Sequence, residues 1–121
     1  MRKNVTIFHN PRCSKSRRTL ALLHERGIEP EIVDYLKNPP ETQEIARLLK
    51  LLGLSAREFI RRKEAAYAEH GLDAEALDEA QLIEAMRRHP ILIERPIVVV
   101  GAAAAIGRPP ENVLPILPPP A

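Results

Sequence analysis

The 121 residues suffice for one compact domain and not for two, since a chain of this length buries about two-thirds of its unfolded surface around a single core. Apolar residues make up 45% but aromatics only 3%, with no Trp, so Leu, Ile, Val and Ala must fill that core, as is ordinary for an α/β protein. A net charge of +2 carries no electrostatic footprint for nucleic acid, no apolar run approaches the roughly 18 residues of a membrane span, and one cysteine excludes an internal disulfide and the usual zinc spacings.

The chain turns polar too soon after Met1-Arg2-Lys3 for a secretory signal, so a cytoplasmic protein is expected. Asn4-Val5-Thr6-Ile7-Phe8-His9 is rich in β-branched residues and ends at Asn10-Pro11, which reads as a strand entering a turn. A helix follows, with Ser14 or Ser16 as its cap, Leu20 and Leu23 as its apolar stripe and Gly27 as a left-handed C-terminal cap. Glu31 to Leu36 reads as a second strand, closed by Asn38-Pro39-Pro40, and this β-α-β order favours a parallel pair with a right-handed crossover.

From Thr42 to His89 the pattern is helical. Ile45, Leu48, Leu49 and Leu52 lie at helical spacing and Gly53 stops them. Ser55-Ala56-Arg57-Glu58 and Asp78-Glu79-Ala80-Gln81 both have capping-box form, with Gly71-Leu72 between the two helices they start. Pro90 ends the block, and Ile97-Val98-Val99-Val100 reads as a buried strand. A short hairpin partner fits Ala104 to Gly107, although Gly101-Ala102-Ala103 lacks the Asn-Gly pair that fixes a tight turn. Pro109 to Leu114 allows a last short helix with proline in its first turn, and the tail from Pro118 should be extended or disordered.

The chemistry centres on Cys13, placed between the first strand and the first helix. Free backbone N–H groups and the positive end of the helix dipole favour an anion there. An ordinary thiol of pKa about 8.5 is only a few per cent ionised at pH 7, whereas helix N-termini and nearby cations bring thiols to roughly 3.5–7.5. Lys15, Arg17 and Arg18 supply positive charge. Against this stands the commoner fate of a lone cysteine, an inert buried side chain. The layout strand, Cys13-Ser14-Lys15-Ser16, helix tips the balance, because Cys-x-x-Cys or Cys-x-x-Ser at this junction is the thioredoxin-like redox arrangement. With Ser16 in the second position, an oxidised Cys13 needs an external thiol to restore it. A phosphatase-type phosphate loop is excluded, since the arginine it requires six positions after the cysteine is Thr19. His9, His24, His70 and His89 are scattered, so no metal is expected.

His9-Asn10-Pro11-Arg12-Cys13-Ser14-Lys15-Ser16-Arg17 resembles the His-Asn-Pro-x-Cys-x-x-Ser-Arg motif of the glutaredoxin-coupled arsenate reductases. The likeness continues, in the same order, through Tyr35 to Pro40, His89 to Val99 and Ile106 to Glu111. It implies a thioredoxin-like mixed sheet with a helical insertion over about 41–90, between the second and third strands of one domain spanning 1–117, and a cis bond at Arg95-Pro96. It also implies an oxidoreductase that turns arsenate into arsenite with Cys13 as nucleophile and Arg61, Arg95 and Arg108 binding the oxyanion. Planar guanidinium groups suit a tetrahedral oxyanion through paired, charge-assisted hydrogen bonds. The bland role for any one arginine is a solvated surface charge, and Arg95 and Arg108, each bordering an apolar strand and preceding proline, depart from it most.

The resemblance credits His9 with helping to hold the thiolate, where a strand-end histidine is more often simply hydrogen-bonded in place. Ser16 and Arg17 would orient the loop. Glutathione is the implied co-substrate and glutaredoxin the implied partner, with no bound cofactor and a monomer expected. Ser14-Lys15 departs from the Gly-Thr of the best-known members and leaves the substrate open. Two alternatives therefore stand beside arsenate reduction: a transcription regulator of the same fold that binds RNA polymerase, against which Ser16 and the arginine set argue, and a general glutathione-dependent thiol reductase.

Overall fold

The computed structural model describes residues 4–118, which divide into two compact units. One is formed by the chain up to Asn38 together with the stretch from Arg95 onward, the other by Pro39–Glu94. Met1-Arg2-Lys3 and all of the expected proline tail beyond Pro118 lie outside the described residues.

The first unit is built on a four-stranded mixed sheet of order β2-β1-β3-β4, from β1 (Val5–His9), β2 (Glu31–Asp34), β3 (Ile97–Val100) and β4 (Ala103–Ile106). β1 pairs with β2 in parallel, Ile7 opposite Ile32 and His9 opposite Asp34. It pairs with β3 antiparallel, Val5 opposite Val100 and Phe8 opposite Ile97, and β3 pairs antiparallel with β4. The α-helix α1 (Ser14–Glu25) and a 3₁₀ segment, Pro110–Ile116, contribute Leu23 and Val113 to a core with Val5, Ile7, Val98 and Val100. All four residues of β3 are buried, which explains its unbroken apolar run.

The sequence expectations hold in outline and shift in detail. β2 stops at Asp34 because the Asp34 carbonyl accepts the N–H groups of both Lys37 and Asn38, turning the chain two residues before Leu36. β4 begins at Ala103, one residue early. Gly101 at φ 59° and Ala102 form the two-residue loop, and glycine at the first position with no positive φ at the second is the other hairpin solution, which needs no Asn-Gly. Neither Ser14 nor Ser16 caps α1: Cys13 itself is the N-cap residue and makes no side-chain capping hydrogen bond. At the far end Gly27 behaves as expected, with its own N–H on the His24 carbonyl and that of Ile28 on the Leu23 carbonyl, the double closure of a Schellman motif. The peptide bonds Arg95-Pro96 and Arg108-Pro109 are both cis, the first as expected.

The second unit is helical: α2 (Thr42–Leu52), α3 (Ala56–Phe59), α4 (Ala65–Glu69), α5 (Glu79–Arg88) and a 3₁₀ turn at Pro90–Leu92. Ile45, Leu48 and Leu49 form the buried stripe of α2, which packs on α5 with its buried Leu82, Ile83 and Met86. Both capping boxes are present, Ser55 with Glu58 and Asp78 with Gln81. The helix started by Ser55 is shorter than its sequence suggests. Ile60 turns extended and is buried, and the Arg61 N–H bonds the Leu92 carbonyl instead of continuing the helix. Among the described residues no helix is long and apolar enough to cross a membrane.

Candidate active site

Cys13 sits where β1 hands over to α1, and it closes a four-residue turn, Asn10-Pro11-Arg12-Cys13, that the sequence specifies closely. Pro11 presets the turn conformation, and the Cys13 N–H closes it on the Asn10 carbonyl at 3.0 Å. The Asn10 Oδ1 accepts from the Arg12 N–H at 3.0 Å, an Asx-type contact within the same turn. Arg17 reaches back from the first turn of α1 and donates to the Pro11 carbonyl at 2.9 Å.

Ser16 is fully buried and ties the turn to the strand. Its Oγ accepts from the Asn10 N–H at 3.0 Å and lies 2.6 Å from His9 Nδ1. In the neutral ring the two tautomers follow from this bond: with the Ser16 hydroxyl donating to Nδ1 the ring hydrogen is on Nε2, and with Nδ1–H donating to the Oγ it is on Nδ1. Burial, the largest influence, holds the His9 pKa below 6.5; the Asp34 carboxylate opposes this and the Arg17 guanidinium adds to it. A neutral His9 fixed by Ser16 is what that predicts near neutral pH. Ser16 thus bonds to the loop from inside and Arg17 from outside.

Two of the three candidate arginines lie at the same end of the same sheet as Cys13. Continuing the antiparallel register of β3 and β4 beyond Ile97 and Ile106 sets Pro96 opposite Gly107 and Arg95 opposite Arg108, and the Gly107 N–H donates to the Pro96 carbonyl at 2.9 Å. Continuing the β1–β3 register sets Asn10 opposite Arg95. The β1 end that leads to Cys13, the start of β3 and the end of β4 therefore share one edge of the sheet unit. Cys13, Arg95 and Arg108 are each half-buried there. The Arg108 backbone is held on both sides, its N–H on the Ile106 carbonyl at 2.9 Å and its carbonyl by Asn112 Nδ2 at 3.1 Å.

Arg61 belongs to the helical unit. Its guanidinium pairs with Glu64 and lies 3.8 Å from Glu94, while its N–H is fixed on Leu92. Sequence reading passed over Asn10 as more than a turn former, and over Asp34, Thr19 and Gly107. Thr19 is fully buried on α1 and Gly107 is buried against it. Gly107 offered one clue, a glycine beside Arg108 at a position where a strand, not a turn, was expected. Among the described residues no three His, Cys, Asp or Glu side chains gather into a metal site.

A mixed sheet with a half-buried cysteine at the junction of its first strand and first helix, and a cis-proline opening its third strand, defines a thioredoxin-like α/β protein. The sequence profile of the ArsC family matches residues 8–116, and the chain belongs to that family. It is 51% identical over 114 residues to an arsenate reductase of Neisseria meningitidis, covering 93% of this chain and 97% of the relative. It is 55% identical over 118 residues to "Uncharacterized protein YfgD" of Escherichia coli K12, covering 97% and 99%. Among solved structures, the arsenate reductase from Vibrio cholerae superposes with a TM-score of 0.94 at 49% identity, over 97% of this chain and all of that one.

Proposed function

We propose that the chain is an arsenate reductase in which Cys13 is the nucleophile and Arg95 and Arg108 bind the oxyanion, with glutathione and glutaredoxin supplying the electrons. The observation that carries this reading is the common placement of Cys13, Arg95 and Arg108 at one end of the sheet, behind a loop locked by His9, Asn10 and Ser16. The names of the relatives at 51% and 49% identity support arsenate as the substrate. Arg61 enters the reading through the family resemblance alone.

In this scheme the Cys13 thiolate attacks arsenic, a sulfur–arsenic bond forms and an arsenate oxygen leaves as water after protonation. The guanidinium groups offset the charge that gathers as thiolate meets oxyanion. Glutathione sulfur then attacks the Cys13 sulfur. The new disulfide takes the place of the sulfur–arsenic bond, whose electron pair stays on arsenic, so As(V) becomes As(III) and departs as arsenite. Glutaredoxin thiolate attacks the mixed disulfide, carries off the glutathionyl group and returns Cys13 as a thiol. His9, held neutral, keeps Ser16 and the loop in place through these steps.

Turnover of purified protein on arsenate with glutathione and glutaredoxin tests the scheme. Arsenite should form with wild-type protein and not with Cys13→Ser. Full activity in Cys13→Ser rules the scheme out, and a rate on glutathione mixed disulfides exceeding that on arsenate selects the general thiol reductase in its place.

A further inference from the structure

Five glycines occur in the chain, and four of them, Gly27, Gly53, Gly71 and Gly101, have the positive φ that makes glycine useful in turns and caps. Gly107 does not. What it supplies is space: a Cβ there would lie 2.5 Å from Thr19 Oγ1, 3.1 Å from Thr19 Cγ2 and 2.9 Å from Pro96 Cγ. Three segments thus meet at one hydrogen-sized gap. Thr19 comes from α1 less than two turns beyond Cys13, Pro96 follows Arg95, and Gly107 precedes Arg108. The Thr19 hydroxyl donates to the Lys15 carbonyl at 2.9 Å, with the Gly107 carbonyl farther off at 3.4 Å. One proton serves the nearer acceptor, so Thr19 meets Gly107 chiefly by packing.

We propose that Thr19 and Gly107 are positioning residues: their contact fixes α1, and Cys13 with it, at one spacing from Arg95 and Arg108, and so sets where a tetrahedral oxyanion meets the sulfur. Packed interiors transmit small displacements instead of absorbing them. A reacting group moved by about 1 Å loses on the order of a hundredfold in rate. The inference rests on the arsenate reductase reading above.

The experiment compares wild type, Gly107→Ala, Thr19→Ala and the double variant by arsenate kinetics and by the protection that arsenate gives Cys13 against iodoacetamide. Gly107→Ala should lower kcat/KM on the order of a hundredfold, mainly through kcat, and weaken protection as well. Alkylation without arsenate should stay within about twofold of wild type, which a merely unfolded chain would not show. Adding Thr19→Ala removes two of the three crowding atoms and should recover about tenfold, a non-additivity expected of groups in contact. Thr19→Ala alone, favoured by helix propensity to fold, should lower kcat/KM severalfold, and it decides the matter should Gly107→Ala fail to fold. Wild-type kcat/KM and protection in the single variants overturn the inference while leaving the enzyme reading intact. A wild-type protein with neither turnover nor protection overturns both.

Discussion

In the helical unit three helix ends are closed by a few neighbouring residues: Ser55 with Glu58, Asp78 with Gln81, and Gly53 at φ 70° with the N–H of Leu54 on Leu49. At the cysteine end of the sheet unit the same backbone groups are settled by residues far apart in sequence or in unusual roles. Cys13 occupies an N-cap position without capping, Ser16 turns inward to serve His9 and Asn10, and Gly107 is needed for room instead of for a turn. The contrast teaches where to look for function. A scaffold leans mainly on local rules, and a site is where several of them are broken together and compensated by longer-range contacts.

The sharpest way to test that contrast is to remove the arginines one at a time. Arg108→Ala and Arg95→Ala should each lower arsenate kcat/KM by about 10²–10³, the usual loss when a charge-stabilising donor is taken from a reacting oxyanion. Arg61→Ala should cost less, about tenfold, because Glu64 and Glu94 already engage its guanidinium in the helical unit. Steady-state rates on arsenate give the ranking. A loss at Arg61 larger than at either sheet arginine would move the weight of oxyanion binding to the helical unit.

The parts of the structure legible in sequence are those written in short-range patterns. The helical block, both capping boxes, the Gly27 closure and the buried run Ile97–Val100 were all plain from spacing and residue type. The early end of β2 depends on the Asp34 carbonyl receiving two N–H groups, and the break at Ile60 depends on a bond from Arg61 to Leu92, 31 positions away; neither has a local marker. For the site, a motif around Cys13 could be read, and so could two arginines beside prolines. The tie from Ser16 to His9 could not, because a serine in a first helical turn ordinarily caps it. Thr19 against Gly107 spans 88 positions and shows only when the chain is folded.

A pH experiment probes the compensation at the cysteine end. His9 has its pKa held below the ordinary 6.5 mainly by burial, so on acidification the unfolded chain takes up its proton first, near 6.5. Stability should therefore fall as pH drops through about 6.5 and level off below the folded pKa. His89, lowered mainly by burial and also by His70 and Arg88, adds a similar contribution from the helical unit. Thermal melts between pH 7.5 and 5.5 should show a smaller acid loss in His9→Asn than in wild type. Removing the carboxylate that opposes the shift sharpens the assignment: Asp34→Asn should move the His9 pKa further down in an NMR titration, and Arg17→Ala should move it up. A His9 ring that titrates above 6.5 would contradict the buried, neutral role.

The smallest effects on activity should come from the helical unit's own caps. Ser55→Ala and Asp78→Ala each remove a side-chain acceptor from an exposed helix start, costing about 1 kcal/mol, or roughly 3–6 °C in Tm for a chain of this size. Arsenate turnover at 25 °C should stay within twofold of wild type, the reverse of Arg108→Ala, which should lose activity and keep its Tm. The two caps are not independent. Glu79, the first helical residue after Asp78, accepts the N–H of Ala56, the first after Ser55, at 2.9 Å and 3.1 Å through its two carboxylate oxygens. Fraying either helix start loosens that carboxylate's hold on the other. The double variant should therefore lose less than the sum of the singles, by about 0.5 kcal/mol or more, and strict additivity in denaturant melts would show that the two starts act separately.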